Sequence, residues 1–106
     1  MLALAVPGDG GGEYAGYLAL LRRRVQEAVR YPEAARRRNV TGTAHVEIAL
    51  EPSGRITDVV VVESSSHPAL DHAAVEGVRA LRRIPFPPDV RPRPLRVRLP
   101  VVFELR

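Results

Sequence analysis

The sequence predicts an α+β fold in which two helices pack on one face of a three-stranded antiparallel sheet. Three observations lead to this class. An apolar residue occupies every second position from Leu95 onward. An alternating segment and a valine-rich segment flank a turn at residues 51–54, and two other segments carry apolar residues at three- and four-residue steps. With 106 residues, the chain has the length of one domain.

Residues 1–13 are predicted to be a flexible leader, because they are rich in glycine, and the folded domain to span residues 14–106. The domain begins with a helix, followed by a short helical turn from Pro32 to Arg38. The Tyr31-Pro32 pair is predicted to end the first helix, since the residue before a proline disfavours the α conformation. The apolar stripe of this helix consists of Tyr14, Tyr17, Leu18, Leu21, Val25, Ala28 and Val29.

Residues 44–50 alternate between apolar and polar side chains, which predicts the first strand of a hairpin. Residues 51–54 form the turn, with proline at the second position and Gly54 supplying a left-handed conformation. The second strand is predicted from Arg55 to Ser64. Because Ile56 and Val59 cannot share one face at a period of two, a bulge is expected near Asp58.

A second long helix is predicted to start at Pro68, with Ser66 or His67 as its cap. Its buried stripe consists of Leu70, Ala74, Val78 and Leu81. Residues 85–94 contain five prolines and are predicted to be an extended connector.

The last predicted strand places Leu95 and the alternate residues after it on a buried face. The strand can pair with either strand of the hairpin, and next to the first one its far side stays open. Pro100 is compatible with an edge strand, which can point its missing N–H outward. An open edge can accept a strand from another chain, or from a second copy, so we expect concentration-dependent dimers.

Composition excludes some functions. The chain has no cysteine, so disulfides and thiolate metal sites are absent, and no cofactor or metal site is expected. The serines and histidines of residues 64–72 are assigned to helix capping and the surface rather than to catalysis, so the protein is predicted not to be an enzyme. All 16 basic residues are arginine, which leaves an arginine-rich nucleic-acid or anionic-surface binder as the alternative function. Nucleic acid is not expected as a partner, because no aromatic residue is left for stacking bases.

Several short motifs resemble one family when they are taken together. In chain order they are Tyr31-Pro32, Gly42 with the alternating strand, Gly54 with Ile56, Val59 and Val61, Glu63-Ser64-Ser65, the set Leu70, Asp71, Ala73, Ala74 and Val75, and the proline-rich run with Phe86. Over about residues 17–106 the chain resembles the C-terminal domain of TonB-type energy transducers. The resemblance implies that the last strand lies exposed at the sheet edge.

The resemblance also implies a function. Such a domain lies in the periplasm and belongs to a protein anchored in the inner membrane, where a proton-driven motor complex supplies energy. It grips an outer-membrane transporter by adding a short transporter segment, the TonB box, beside its last strand. The implied contact residues are Ala28, Arg30, Tyr31, Pro32, Arg96, Val97, Arg98, Leu99, Pro100, Val101, Val102, Phe103 and Glu104.

Overall fold

The computed structural model describes residues 4–6 and 12–105. Its strands are β1 (Leu4–Val6), β2 (Gly42–Leu50), β3 (Ile56–Glu63) and β4 (Leu95–Phe103). Its helices are α1 (Ala15–Ala28), α2 (Glu33–Arg37) and α3 (Pro68–Leu81), and a short 3-10 turn at Gly12–Tyr14 precedes α1.

The three long strands form the predicted antiparallel sheet, in which β2 lies between β3 and β4. All nine residues of β4 pair with β2, from Leu95 opposite Leu50 to Phe103 opposite Gly42. The odd-numbered residues of β4 are buried, and their neighbours are exposed or partly exposed. The predicted fold class is therefore confirmed, including the face that the terminal strand buries.

Strand β1 is a correction to the predicted leader. Residues Leu4–Val6 pair in parallel with Leu95–Val97, so β4 is covered on its outer side over those three residues. The physical reason is that an uncovered strand leaves N–H and C=O groups unpaired, and a nearby extended segment of the same chain satisfies them. Among the described residues, no strand pairs with the outer side of Arg98–Phe103, which we call the open edge.

The hairpin between β2 and β3 has the predicted turn and the predicted bulge. Gly54 has a φ of +87° and donates its N–H to the carbonyl of Glu51 at 2.8 Å. The register steps from Ala49 opposite Asp58 to Leu50 opposite Ile56, which leaves one extra residue in β3. This bulge lets Val59 be buried although it is out of phase with Ile56.

Helices α1 and α3 pack together and cover the buried face of the sheet. Helix α1 ends at Ala28, earlier than the predicted stop at Tyr31-Pro32, because Val29 is already extended, with ψ at 133°. Val29 sits directly over Gly77 of α3, where a β-carbon would lie 2.5 Å from a methyl group of Val29. This close approach places the segment after α1 alongside α3.

The proline-rich connector is held by two tyrosines of the N-terminal region. The Tyr17 ring stacks on Phe86 with centroids 4.3 Å apart, and its hydroxyl donates to the carbonyl of Ile84 at 2.5 Å. The Tyr14 hydroxyl donates to the carbonyl of Arg91 at 3.0 Å. These contacts fix the chain just before it enters β4.

Candidate functional site: the open edge of β4

The backbone of the open edge presents a defined set of hydrogen-bonding groups. The N–H and C=O groups of Val102 both bond to a side chain on the side away from β2. Because these groups alternate in direction along a strand, those of Arg98 and Pro100 point to the same side. The Arg98 N–H is taken up by the last parallel pair with β1, Val6 with Val97, so Arg98 adds its C=O to the open edge. Pro100 has no N–H, so the edge lacks a donor there, and the gap faces outward as predicted.

The side chain that bonds to Val102 is Gln26 of α1. Its Nε2 donates to the Val102 carbonyl at 2.9 Å, and its Oε1 accepts from the Val102 N–H at 3.1 Å. The periodicity of the helix places Gln26 opposite the apolar stripe and predicts no contact for it. No local pattern reveals this contact, because it joins residues 76 positions apart.

The far end of the open edge meets one of the predicted contact residues. The ring of Tyr31 lies edge-on to that of Phe103, with centroids 5.5 Å apart, and its hydroxyl donates to the carbonyl of Val40. A groove runs past this pair, and we call it the Tyr31 groove. It is lined by Gln26, Val29, Tyr31, Val102, Phe103 and Glu104.

The other predicted residues near Tyr31 face a different surface. Ala28, Arg30 and Pro32 line a groove against α3, together with residues such as Ala73 and Gly77. Tyr31 lines this groove as well as the Tyr31 groove, so it lies between the β4 residues and the three others, which are on the side of α3.

A second groove continues along α1 on the other side of Gln26, and we call it the Arg22 groove. Its lining consists of Ala19, Arg22, Arg23, Gln26, Glu27, Pro100 and Val102. The Nε of Arg22 is shielded from solvent and has no hydrogen-bond partner among residues 12–105. With the Nε shielded, Arg22 meets a partner through its terminal guanidinium nitrogens, which can donate to a carboxylate or carbonyl.

The arginine side chains of β4 are already paired within the domain. On the exposed face of the sheet, Glu47 of β2 accepts from Arg98 at 3.1 Å and from Arg96 at 3.3 Å. The hydrogen bond from Arg98 is the main cause that lowers the pKa of the Glu47 carboxyl, with Arg96 adding to it. A partner that uses these arginines has to compete with Glu47, so the edge backbone is the more accessible part of the site.

The cluster at residues 64–72 has a structural role. Asp71 accepts hydrogen bonds from the Ser64 hydroxyl, from the Ser65 N–H at 2.8 Å and from the Ser65 hydroxyl at 2.7 Å. Burial acts to raise the pKa of Asp71, but these hydrogen bonds outweigh it and lower the pKa. With both serine hydroxyls bonded to the same carboxylate, the cluster ties the loop before α3. Ser65 meets His67 only through the His67 backbone, donating to its carbonyl at 3.0 Å and accepting from its N–H at 3.2 Å.

Among residues 4–6 and 12–105, no group of three side chains is arranged to hold a metal ion, and no helix is long and apolar enough to cross a membrane.

Comparison with known proteins identifies the class. Residues 27–105 match the family described as the Gram-negative bacterial TonB protein C-terminal. The match covers most of the chain, and the chain belongs to this family of protein-interaction domains, which are not enzymes.

Individual relatives agree with this assignment. The TonB protein of Haemophilus ducreyi is 34% identical over 78% of this chain, and that of Vibrio cholerae is 34% identical over 82%. The chain spans 33% and 35% of those two proteins, about a third of their length.

Solved structures share the fold. The C-terminal domain of Helicobacter pylori TonB has a TM-score of 0.74 and 22% identity, covering 92% of this chain and 97% of that one. A TolAIII structure bound to a peptide from the N-terminus of TolB has a TM-score of 0.67 and 30% identity, covering 92% of this chain and 81% of that one.

Proposed function

We propose that this domain binds a short segment of an outer-membrane transporter, the TonB box, by adding it as a strand to the open edge of β4. The observation that carries the proposal is the open edge itself. Beyond β1, Arg98 and Pro100 each offer an outward C=O and Val102 an outward N–H and C=O, and no strand among the described residues pairs with these groups. Strand addition uses such groups for affinity and adjacent side-chain pockets for specificity.

The grooves beside the edge support this assignment. The Tyr31 groove and the Arg22 groove follow the outer side of β4 and offer Tyr31, Phe103 and Val102 as apolar contacts. The TolAIII structure adds a related case, since a protein of the same fold binds a peptide. We therefore infer an extended peptide as the ligand.

The biological setting that we propose follows the family. The parent protein is anchored in the inner membrane through a part outside this sequence and receives energy there from a proton-driven motor complex. The domain itself works in the periplasm and passes that energy to the transporter during nutrient uptake. About five backbone hydrogen bonds, set against the cost of association, imply an affinity of about micromolar order.

The charge of the domain favours an acidic segment. The net charge is +4, and two arginines, Arg22 and Arg23, line the Arg22 groove. An apolar strand that carries a carboxylate at the matching position would pair with Arg22 while its backbone pairs with β4.

The test is a pair of substitutions at one position. Val102→Pro removes the outward N–H, whereas Val102→Thr keeps it, and both lose the valine side chain. The probe is a blocked peptide of alternating valine and threonine with one glutamate. We expect Val102→Pro to weaken binding by calorimetry about tenfold relative to Val102→Thr, because the proline ring takes the place of the edge donor and an added strand cannot pair there. Equal affinities of the two variants would refute strand addition at this edge.

The alternative function, binding of nucleic acid or another anionic surface, differs in its salt dependence. Several arginines already pair with glutamates, namely Arg37, Arg55, Arg79, Arg96 and Arg98, which disperses the positive charge. Binding through phosphates would fall by orders of magnitude between about 50 and 200 mM salt, whereas backbone pairing would change little. A steep loss of affinity with rising salt, measured for the same peptide and for DNA, would favour the alternative function.

A further inference from the structure

Gln26 occupies the position of a neighbouring strand at Val102. Its side-chain amide donates to the Val102 carbonyl and accepts from the Val102 N–H, at 2.9 and 3.1 Å. A primary amide has one carbonyl oxygen and an NH₂ group, so it reproduces the pair of bonds that a strand residue makes with its partner. Val102 is thus satisfied in the free domain by a side chain of α1.

This contact also divides the space beside β4. The Tyr31 groove and the Arg22 groove share two lining residues, Gln26 and Val102, which are the two partners of the bridge. With the Gln26 side chain turned aside, the two grooves form one channel along the outer side of Pro100–Phe103. The bridge is exposed to water, so water can replace both of its hydrogen bonds.

We propose that Gln26 is a displaceable cap on the open edge, which an incoming strand must remove in order to pair with Val102. This inference rests on the proposed function, because the guest is the extended peptide assigned above. The guest residue opposite Val102 takes over both bonds, so it must supply an N–H and cannot be proline. Pro100 offers the guest a carbonyl acceptor but no N–H donor. The guest residue opposite it can donate its N–H, and its own carbonyl remains hydrogen-bonded to water.

The cap has an energetic consequence for binding. The two hydrogen bonds between Gln26 and Val102 must break before a guest can bond to Val102. The net gain in binding free energy at Val102 is therefore small. Removing the cap should therefore tighten binding, whereas removal of an ordinary contact residue would weaken it. This sign distinguishes a cap from a direct contact.

The experiment uses two variants that remove the bridge in different ways. Gln26→Leu has no polar group, and Gln26→Asn keeps the amide on a side chain one methylene shorter, which cannot reach Val102. Because one variant is apolar and the other polar, a shared effect is due to loss of the bridge rather than to a changed groove surface. Arg38→Gln, on the exposed end of α2, is the control for changes unrelated to the edge.

Two quantities are measured, the exchange rate of the Val102 amide in the free domain and the dissociation constant of the valine–threonine–glutamate peptide. We expect Val102 to exchange about tenfold faster in both variants, and both to bind the peptide about three- to tenfold more tightly than the wild type. The control variant should match the wild type in the exchange of Val102.

Three results would overturn the inference in distinguishable ways. Unchanged exchange of Val102 would mean that the bridge does not protect it in solution. Faster exchange with unchanged or weaker peptide binding would mean that Gln26 is not displaced by the guest. Absence of peptide binding in the wild type and in both variants would remove the proposed function and the guest with it, while the exchange rates would still report on the bridge.

Discussion

Arg22 is the residue whose contribution to specificity is easiest to isolate. Arg22 lines the Arg22 groove and forms no ion pair among residues 12–105, so a guest carboxylate at its guanidinium replaces none. We expect Arg22→Gln to weaken the glutamate-containing peptide about three- to tenfold and to leave a matched glutamine peptide nearly unchanged. Calorimetry with both peptides measures this difference, and Arg38→Gln is the control. Equal weakening of the two peptides would show that Arg22 does not read the acidic group.

Tyr17 gives the domain a predicted weakness at alkaline pH. Burial raises the pKa of its hydroxyl to about 12 from 10.0. A raised pKa in the folded state contributes stability that is present in full below pH 10 and is lost as the pH rises through about 12. We expect the free energy of unfolding in urea to fall over this interval, and Tyr17→Phe to remove that part of the fall.

The Tyr17→Phe variant should also be less stable at neutral pH, by about 1 kcal/mol, because the Ile84 carbonyl loses its donor. Tyr14→Phe is the control, since it removes a tyrosine hydroxyl from the same connector contact while retaining Tyr17. An alkaline profile of Tyr17→Phe identical to that of the wild type would contradict the assignment.

At the level of single residues, the sequence alone predicts part of the candidate site. The period of two places the odd-numbered residues of β4 in the core and predicts the outward gap at Pro100, because both follow from strand geometry. It does not predict the bridge from Gln26 to Val102. That contact depends on where α1 crosses β4, which is a result of tertiary packing between residues far apart in the chain.

Among the elements, the segment that follows α1 packs closely on α3, two residues before Tyr31. A methyl group on Gly77 would lie 2.5 Å from the Val29 side chain and 2.8 Å from its Cα, so backbone must move. We expect Gly77→Ala to destabilise the domain by about 1–3 kcal/mol, despite the better helix propensity of alanine. Because Val29 also lines the Tyr31 groove, peptide binding should weaken in the same variant.

Gly16 provides a matched control for this prediction. It lies in α1, and a β-carbon there meets no atom within 4 Å. Gly16→Ala should therefore stabilise the domain by about 0.5–1 kcal/mol through helix propensity alone. Thermal unfolding of the two variants measures the contrast, and similar stabilisation by both would contradict the close packing of Val29 on Gly77.

The elements differ in how much of them the sequence predicts. The hairpin, its bulge and helix α3 follow from local signals, such as Gly54 in the turn and Pro68 at the helix start. Strand β1 does not follow from a local signal. It is only three residues long, which is too short to show a periodicity, and it forms where β4 offers an edge to pair with. Helix α1 stops short of Tyr31-Pro32 for a similar reason, since Val29 is held by its packing on Gly77.

For the whole molecule, β1 limits how much of β4 another chain can reach. It covers Leu95–Val97, so deletion of residues 1–11 should free the outward groups of Arg96 and lengthen the open edge. Since the same edge can pair with a second copy, we expect the shortened chain to self-associate with a dissociation constant about tenfold lower than that of the full chain. Sedimentation over a range of concentrations measures this change.

The control for the deletion is the same shortened chain carrying Arg98→Pro, which should lose the added self-association. Identical behaviour of the full and shortened chains would mean that β1 does not protect the edge. Equal self-association with and without Arg98→Pro would place the contact between copies elsewhere on the molecule.

The missing donor at Pro100 bears on the solubility of the protein. Two copies that meet antiparallel around this residue lack both of the hydrogen bonds that would otherwise close the centre of their junction. Fibrils grow by repeating uninterrupted backbone pairing from chain to chain, and this junction is interrupted at its midpoint. An edge that accepts a foreign strand, as proposed above, is therefore a poorer template for repeated pairing between copies of this chain.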